Sequence, residues 1–309
     1  MRKLAVALGT LTLLMIGWAV PPSGAAHPSV EEQRTQTNPV ALDPIRFRED
    51  HAGLVVTGWI NGAGPFTFAI DTGAGASLIT DRVVSRSKLA VSKSRRPLVG
   101  GLTSVVIKSD QEARASSVAL GNINNAVPGR PLLAIVSTLP SGIDGILDPS
   151  DLFGSMAYSI DLPSKQLLVF DAKENGLDLS RVPKDGAVVR WVQQGGSGQP
   201  FVRLGDGRLT LIDTGSSLGL ALNDSGRASG SNHSQRVVSD LGGAAVQSRS
   251  LAPTTVSIGA LVLEGVPTDL LIGVPVGTPV ILGRRALYPF KITFDPKARL
   301  IAFEPTLRN

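Results

Sequence analysis

The sequence predicts a mostly β fold built from two similar lobes. Of its 309 residues, 34 are glycine and 21 are proline, and runs of Val, Ile, Leu and Thr separate these turn-forming residues. Such a pattern favours short strands joined by tight turns. A second observation is that an apolar run entering Asp-Thr-Gly occurs twice, at Asp71 and at Asp213. The segments that follow each copy recur in the same order, which indicates an ancient duplication.

The amino-terminal residues predict an export signal. Arg2 and Lys3 precede an apolar run over residues 4–20, and small residues suited to cleavage follow, so we assign the signal to residues 1–26. An uncleaved membrane anchor is the alternative. Residues 27–44 are polar and aperiodic and predict a flexible leader, with an inhibitory propeptide as the alternative. We therefore expect a periplasmic or secreted protein.

The first lobe is assigned to residues 45–180. Asn61-Gly62 between two apolar runs is typical of a hairpin turn, and the second run ends at Asp71. A short helix is expected over residues 77–88. The other expected elements are strands near residues 45–48 and 116–123, two short β-like runs within residues 98–107, a helix near residues 150–156 and a hairpin of residues 158–161 with 167–170.

The second lobe, residues 181–309, repeats this order after a linker near residues 172–188. Gly242-Gly243 matches the earlier pair Gly100-Gly101, and residues 256–259 match the strand near residue 120. A hairpin over residues 292–303 matches the one that ends the first lobe. Ile281-Leu282-Gly283 corresponds to Ile146-Leu147-Asp148, so an aspartate stands in the first copy where the second has a glycine.

The composition argues against several kinds of site and partner. The chain has no cysteine, which excludes disulfides and thiolate metal sites. Its formal net charge is +5, and the positive residues are dispersed, with Arg95-Arg96 and Arg284-Arg285 as the adjacent pairs. Because no basic stripe is interleaved with aromatic residues, we expect no nucleic-acid partner. We also expect no cofactor or metal, no membrane contact beyond the export signal, and a monomer.

The paired pattern resembles the two-lobed pepsin-like aspartic proteases, and more closely their compact bacterial retropepsin-like relatives. The resemblance extends from about residue 54 to residue 303. It implies a pepsin-like acid protease fold, in which each lobe is a β-barrel-like sheet assembly with short helices and the active-site cleft lies between the lobes. The matching stretches are Asn61-Gly62, Asp71-Thr72-Gly73-Ala74, Ile146-Leu147, Asp213-Thr214-Gly215-Ser216 and Ile281-Leu282-Gly283.

The resemblance implies that Asp71 and Asp213 are the catalytic residues of an aspartic-type endopeptidase. They would bind one water between their carboxyls, with one carboxylate as general base and the protonated partner polarising the scissile carbonyl. Ser216 can donate its hydroxyl to Asp213, whereas Ala74 at the matching position can donate nothing. We therefore predict that the shared proton sits on Asp71, and that Ser216→Ala raises the lower apparent pKa of the rate profile.

The residues after each aspartate are expected to support the active-site loops. By the same resemblance, Thr72 and Thr214 hydrogen-bond across to the opposite lobe. Gly73 and Gly215 leave room for the loops to approach and direct backbone N–H groups at the carboxylates. The alternative is that both Asp-Thr-Gly segments are ordinary turns that end strands.

The resemblance implies that Gly100, Gly101 and Leu102 belong to a flap over the substrate, and the alternative is that the glycine pairs Gly100-Gly101 and Gly242-Gly243 are plain hairpin turns. Pepsin-like enzymes carry a tyrosine on this flap, but the two tyrosines of this chain are Tyr158 and Tyr288. The predicted function is an exported aspartic endopeptidase acting on peptides or unfolded proteins. The alternative is a catalytically silent homologue that binds peptides or a protein partner in the same cleft.

Overall fold

The structure is a computed structural model, and it describes residues 42–94, 109–194, 198–223, 235–239, 245–275 and 277–306. Within these ranges the chain is mainly β, with four short helices. None of the helices in the described ranges is long and apolar enough to cross a membrane. The predicted export signal, most of the predicted leader, the Gly242-Gly243 pair and the possible flap at Gly100, Gly101 and Leu102 lie outside the described residues.

The elements are numbered along the chain. The first part contains β1 (Ile45–Arg46), β2 (Arg48–Asp50), β3 (Gly53–Ile60), β4 (Ala63–Ile70), β5 (Ser77–Thr80), α1 (Asp81–Ser87), β6 (Val91–Lys93), β7 (Gln111–Arg114), β8 (Val118–Leu120), β9 (Leu132–Val136), β10 (Gly145–Leu147), α2 (Pro149–Phe153), β11 (Ala157–Asp161), β12 (Gln166–Phe170) and α3 (Ala172–Asn175). The second part contains β13 (Ala187–Arg190), β14 (Phe201–Arg203), β15 (Leu209–Asp213), β16 (Leu220–Asn223), β17 (Gln235–Ser239), β18 (Ala245–Ile258), β19 (Leu261–Ile272), β20 (Val280–Gly283), α4 (Arg284–Leu287), β21 (Phe290–Asp295) and β22 (Leu300–Pro305).

Each half builds its own sheet around one Asp-Thr-Gly segment. In the described first half the strand order is β2-β3-β4-β10-β5-β9-β7-β6, with β8 paired to β3, and in the second half it is β14-β15-β20-β16-β19-β18-β17. In both sheets, the strand that leads into the aspartate pairs in parallel with a later strand, β4 with β10 and β15 with β20. The later strand then pairs antiparallel with the strand after the aspartate, β5 or β16. The predicted duplication is therefore visible in the topology.

A third sheet contains strands from both halves. Its order is β1-β12-β11-β21-β22-β13, so the two terminal hairpins of the halves lie side by side. At their junction, the hydroxyls of Ser159 and Thr293 are 2.7 Å apart, and the rings of Tyr158 and Phe294 stack with centroids 4.8 Å apart. These contacts lie in one large apolar core that includes side chains from all three sheets. The predicted division of the halves at residues 180 and 181 falls between α3 and β13 and stays a prediction.

The hairpin that delivers Asp71 forms as the sequence predicts. The turn between β3 and β4 is Asn61-Gly62, with φ of 50° and 75° at these two residues. Both values lie in the left-handed region, which asparagine and glycine adopt most easily. The side-chain Oδ1 of Asn61 also accepts hydrogen bonds from the backbone N–H groups of Ser116 and Ser117, at 2.9 and 3.1 Å. These bonds tie the turn to the segment that enters β8.

The helix predicted over residues 77–88 is wrong in its first turn. Residues Ser77–Thr80 form β5, and the helix α1 begins at Asp81. Leu78 packs in a small apolar cluster on one side of the sheet, whereas Ile79 packs in the main core on the other side. Neighbouring side chains that point to opposite faces define a strand, and pairing with β9 and β10 stabilises it.

Candidate active site

The two Asp-Thr-Gly loops meet because each follows a strand buried in the middle of its sheet. Asp71 comes directly after β4, and its backbone N–H donates to the carbonyl of Leu147 on β10, at 3.1 Å. Asp213 is the last residue of β15 and pairs with Gly283 on β20. The parallel pairs β4–β10 and β15–β20 determine where the two loops leave their sheets. The two aspartates therefore occupy equivalent positions in the two halves.

The two threonines bind the loops to each other. The Thr72 hydroxyl donates to the carbonyl of Ile212 at 2.7 Å and accepts the backbone N–H of Thr214 at 3.0 Å. The Thr214 hydroxyl accepts the backbone N–H of Thr72 at 3.3 Å. Both threonine side chains are fully buried, so these hydrogen bonds form away from water, where unpaired groups are costly. The predicted contacts across the two halves are therefore present.

The glycines allow the carboxyls to lie against the opposite loop. A Cβ atom added at Gly73 would lie 2.6 Å from Cγ of Asp213, and one added at Gly215 would collide with the Asp71 carboxyl. Distances below 3 Å leave no space for any side chain at these positions. Glycine is required here by close approach, and the approach brings the two carboxyls face to face.

The two carboxyls lie against each other's loops, and their surroundings affect their pKa values unequally. Burial raises the pKa of Asp71 well above its usual range, and the charge of Asp213 raises it further. Burial also raises the pKa of Asp213, but backbone N–H groups of Ser216 and Gly215, together with a hydrogen bond from Asp71, oppose that rise. The surroundings therefore favour the ionised form more at Asp213 than at Asp71.

The comparisons with known proteins agree with this geometry. Residues 56–147 match the family described as aspartyl protease. Among solved structures, that of an aspartic proteinase from Irpex lacteus is similar, with a TM-score of 0.52, 14% identity, and coverage of 86% of this chain and 98% of that chain. No curated protein matches the chain. The predicted resemblance to the aspartic proteases is confirmed.

Within this aspartic protease fold, Ser216 contacts Asp213 through a different group from the one that the sequence predicts. Its backbone N–H, not its hydroxyl, donates to Oδ1 of Asp213, at 2.9 Å. The hydroxyl instead accepts the backbone N–H of Leu218, at 3.3 Å. On the other loop, the backbone N–H of Gly73 donates to Oδ1 of Asp71 at 2.8 Å. The contact that supports the Asp213 carboxylate therefore does not depend on the side chain at position 216.

Arg284 belongs to the site, although sequence reasoning treated it only as dispersed charge. Its buried guanidinium donates through Nη1 to the carbonyls of Thr214 and Gly215, at 2.7 and 2.8 Å. Its positive charge also lowers the pKa of Asp213. The available signal was its position, immediately after Ile281-Leu282-Gly283, at the start of α4.

Gln199 is a second residue that the sequence did not reveal. Its side-chain amide donates to the carbonyl of Gly73, which lies on the loop of the other half. The indole N–H of Trp191 donates to the Gln199 backbone carbonyl at 2.9 Å, and the Ser150 hydroxyl donates to the neighbouring Gly198 carbonyl at 2.9 Å. These contacts hold the segment before β14 against the Asp71 loop.

Tyr158 and the candidate metal ligands are the remaining groups to locate relative to the site. Tyr158 is fully buried in the core against Phe294 and cannot cover a substrate. Among the described residues, no group of histidine and acidic side chains is arranged to hold a metal ion. At the site itself, the two aspartates accept backbone N–H groups of Gly73 and Ser216.

Proposed function

We propose that the chain is an exported aspartic endopeptidase that hydrolyses peptides or unfolded proteins. The observation that carries the proposal is the close approach of Asp71 and Asp213, which come from two different sheets and whose carboxyls lie against the glycines of the opposite loop. The family match over residues 56–147 and the aspartic protease fold support it. Burying two carboxyls next to each other is energetically costly. Two turn aspartates without a shared function would have nothing to offset that cost.

The proposed mechanism assigns a different role to each carboxyl. The ionised Asp213 takes a proton from a water molecule while the water oxygen attacks the scissile carbonyl carbon. Asp71 gives its proton to the carbonyl oxygen, which yields a tetrahedral diol. The diol then collapses: the carbon–nitrogen bond breaks, the proton on Asp213 passes to the leaving nitrogen, and a diol hydroxyl returns a proton to Asp71. The pair ends in its starting protonation state.

The substrate class and the location of the protein are two further parts of the proposal. The resemblance to pepsin-like proteases implies a cleft between the halves, which would suit an extended chain, so we propose peptides and unfolded proteins as substrates. Export is proposed from residues 1–26, whose basic start and apolar run are typical of a signal. Amino-terminal sequencing of the protein recovered outside the cytoplasm tests this: a mature terminus near residue 27 is expected, and recovery of the intact chain in the membrane fraction contradicts it.

The function is tested by incubating the mature protein with denatured proteins between about pH 3 and pH 8 and sequencing the fragments. Asp71→Asn and Asp213→Asn should each lower kcat/KM at least about a thousandfold, because each carboxyl is needed in a different protonation state. The double variant should be no worse than either single variant. Circular dichroism should show the same fold in all four proteins. A single variant with near-wild-type activity contradicts the mechanism.

A catalytically silent homologue is the second candidate. The observation that favours it is the lack of a tyrosine on the predicted flap, since Tyr158 is buried in the core. Binding of a pepstatin-type statine inhibitor separates the two functions, because its hydroxyl takes the place of the attacking water. Tight binding that is lost in Asp71→Asn, together with hydrolysis, supports the enzyme. Peptide binding without hydrolysis at any pH supports the silent homologue.

A further inference from the structure

Asp148 occupies a position beside the Asp71 loop that the second half gives to glycine. In the second sheet, Asp213 pairs directly with Gly283. In the first sheet the parallel register ends with Leu147 opposite Ile70, so the next pair in line is Asp148 with Asp71. The duplicated architecture therefore places a third carboxyl next to the catalytic pair, on one side only.

The backbone contacts of Asp148 join it to the same loop. Its N–H donates to the hydroxyl of Ser77, at 3.1 Å, and Ser77 follows the Asp71 loop at the start of β5. Its carboxyl is buried, and Oδ1 accepts the backbone N–H of Ser150 at 2.8 Å, which caps α2. Asparagine and serine cap helices equally well, so the cap alone does not require a carboxyl. Burying a group that can ionise is costly, which points to a use for its charge.

The groups that face Asp148 come from every element packed around it. Asp71 lies on the adjacent loop, Asp151 on the same helix and the buried hydroxyl of Tyr158 on β11. Backbone N–H groups of Ser150 and Gly75 favour the ionised form. The cation Arg284 is bound on the other side of the pair, at the carbonyls of Thr214 and Gly215.

These surroundings determine when Asp148 becomes charged. Burial, and then the charge of Asp151, raise the pKa of Asp148 to about 7. The charge of Asp148 in turn raises the pKa of Asp71. Below neutral pH Asp148 is therefore neutral and does not affect the pair, whereas above neutral pH its negative charge opposes loss of the proton from Asp71.

We propose that Asp148 is a positioning residue that keeps the shared proton on the Asp71–Asp213 pair as the pH rises through neutrality. This inference rests on the proposed proteolytic function, because the monoprotonated pair is the form that hydrolyses peptides. Asp148 acts only through Asp71 and touches no substrate. Its consequence is activity that extends to higher pH than an isolated pair of carboxyls would allow.

The first test is the pH dependence of kcat/KM for wild type and Asp148→Asn. Asparagine keeps the helix cap and removes the charge. The basic limb should move to lower pH by about 0.5 to 1.5 units, while the acidic limb stays in place because Asp148 is already neutral there. Asp148→Ser, which also retains a cap, should give the same shift. Asp81→Asn makes the same chemical change at an exposed carboxyl and should move neither limb.

The result that overturns the proposal is an unmoved basic limb, or an equal loss of kcat at all pH values in both cap-preserving variants. The second of these is what a purely structural role predicts. A wild type without hydrolytic activity would contradict the proposed function but would leave the effect of Asp148 open to a second measurement. That measurement is an NMR titration of ¹³C-labelled aspartate carboxyls. The Asp71 resonance should titrate at lower pH in Asp148→Asn than in wild type, and identical titrations overturn the proposal.

Discussion

At the scale of single residues, the two aspartates of the proposed active site differ in the donors and charges around them. Asp71 accepts the N–H of Gly73, and Asp213 accepts the N–H of Ser216 and lies near the Arg284 guanidinium. Hydrogen bonds and positive charge favour an ionised carboxylate. These surroundings favour ionisation of Asp213 over Asp71, as the proposed mechanism requires, although both aspartates are followed by Thr-Gly.

Ser216→Ala should leave the acidic limb of the kcat/KM profile where it is. The donor to Asp213 is the backbone N–H, which alanine retains. Loss of the hydroxyl that accepts the Leu218 N–H should lower the free energy of unfolding by about 0.5–1.5 kcal/mol, measured by urea denaturation. An acidic limb that moves to higher pH would restore the role that the sequence suggested for the hydroxyl.

Arg284→Met should move the acidic limb of the pH profile of kcat/KM to higher pH. Removing the positive charge takes away one of the effects that lower the pKa of Asp213, so its carboxylate would protonate at higher pH and the base would be lost sooner. Arg284→Lys is the matched control, because it keeps the charge but loses the planar guanidinium group that binds two carbonyls. The lysine variant should therefore show a smaller pH shift than the methionine variant. Equal shifts would show that hydrogen bonding to the loop, not charge, is what Asp213 needs.

At the scale of elements, the site consists of two loops, and each loop follows a strand of a different sheet. Each loop leaves a strand held between neighbours, and the loops then bond to each other through Thr72 and Thr214. Because the donors and acceptors are buried, each bond that is lost leaves a polar group without water. The contact between the loops should therefore influence stability and catalysis together.

Thr72→Val tests this contact with nearly unchanged shape. The variant leaves the Ile212 carbonyl and the Thr214 N–H without their partner, and the free energy of unfolding should fall by about 2–5 kcal/mol. Thr72→Ser keeps the hydroxyl and should lose only about 1 kcal/mol for the missing methyl group. Urea denaturation measures both. A valine variant as stable as the serine variant would indicate that the loops are held by packing alone.

At the scale of the whole molecule, the two halves are joined by the sheet that contains β11 and β21. Its central pair buries Tyr158 against Phe294 and aligns the two terminal hairpins. The halves also meet at the two Asp-Thr-Gly loops, where burial of two acidic groups opposes folding. The shared sheet provides apolar burial that offsets this local cost.

The stability of the protein should therefore decrease as the pH rises. Asp71, Asp148, Asp151 and Asp213 have pKa values raised mainly by burial, so the folded state holds protons that the unfolded chain has released. Their stabilising effect is complete below about pH 4, the pKa of an unfolded aspartate, and is lost as the pH rises through the folded values, which for Asp148 is about 7.

The free energy of unfolding should fall by a few kcal/mol, on the order of 3, between pH 4.5 and pH 7.5. Urea denaturation at several pH values measures this slope. Asp148→Asn should show a smaller decrease because one of the contributing groups is gone. Asp178 and Asp206 have lowered pKa values but are exposed, so they should offset little of the effect. A stability that increases across this range would contradict the buried state of the carboxyls.

The sequence by itself determined the β fold, the duplication and the pair of aspartates. Alternating apolar residues and turn pairs such as Asn61-Gly62 act locally, so they can be read from a short stretch of sequence. The repeated Asp-Thr-Gly predicted two loops of the same kind. The sequence predicts a helix over Ser77–Thr80 instead of the observed strand, because the strand is short and the strands that stabilise it, β9 and β10, are distant in the chain.

The tertiary structure alone decided how the two carboxyls differ. Ser216 supports Asp213 through its backbone, Arg284 lies behind the second loop, and Asp148 lies beside the first. None of these roles follows from residue type, because serine, arginine and aspartate side chains are mostly exposed in proteins. The pKa of a carboxyl depends on burial and on charges within a few ångströms, and residues far apart in sequence reach that distance only when the sheets have formed.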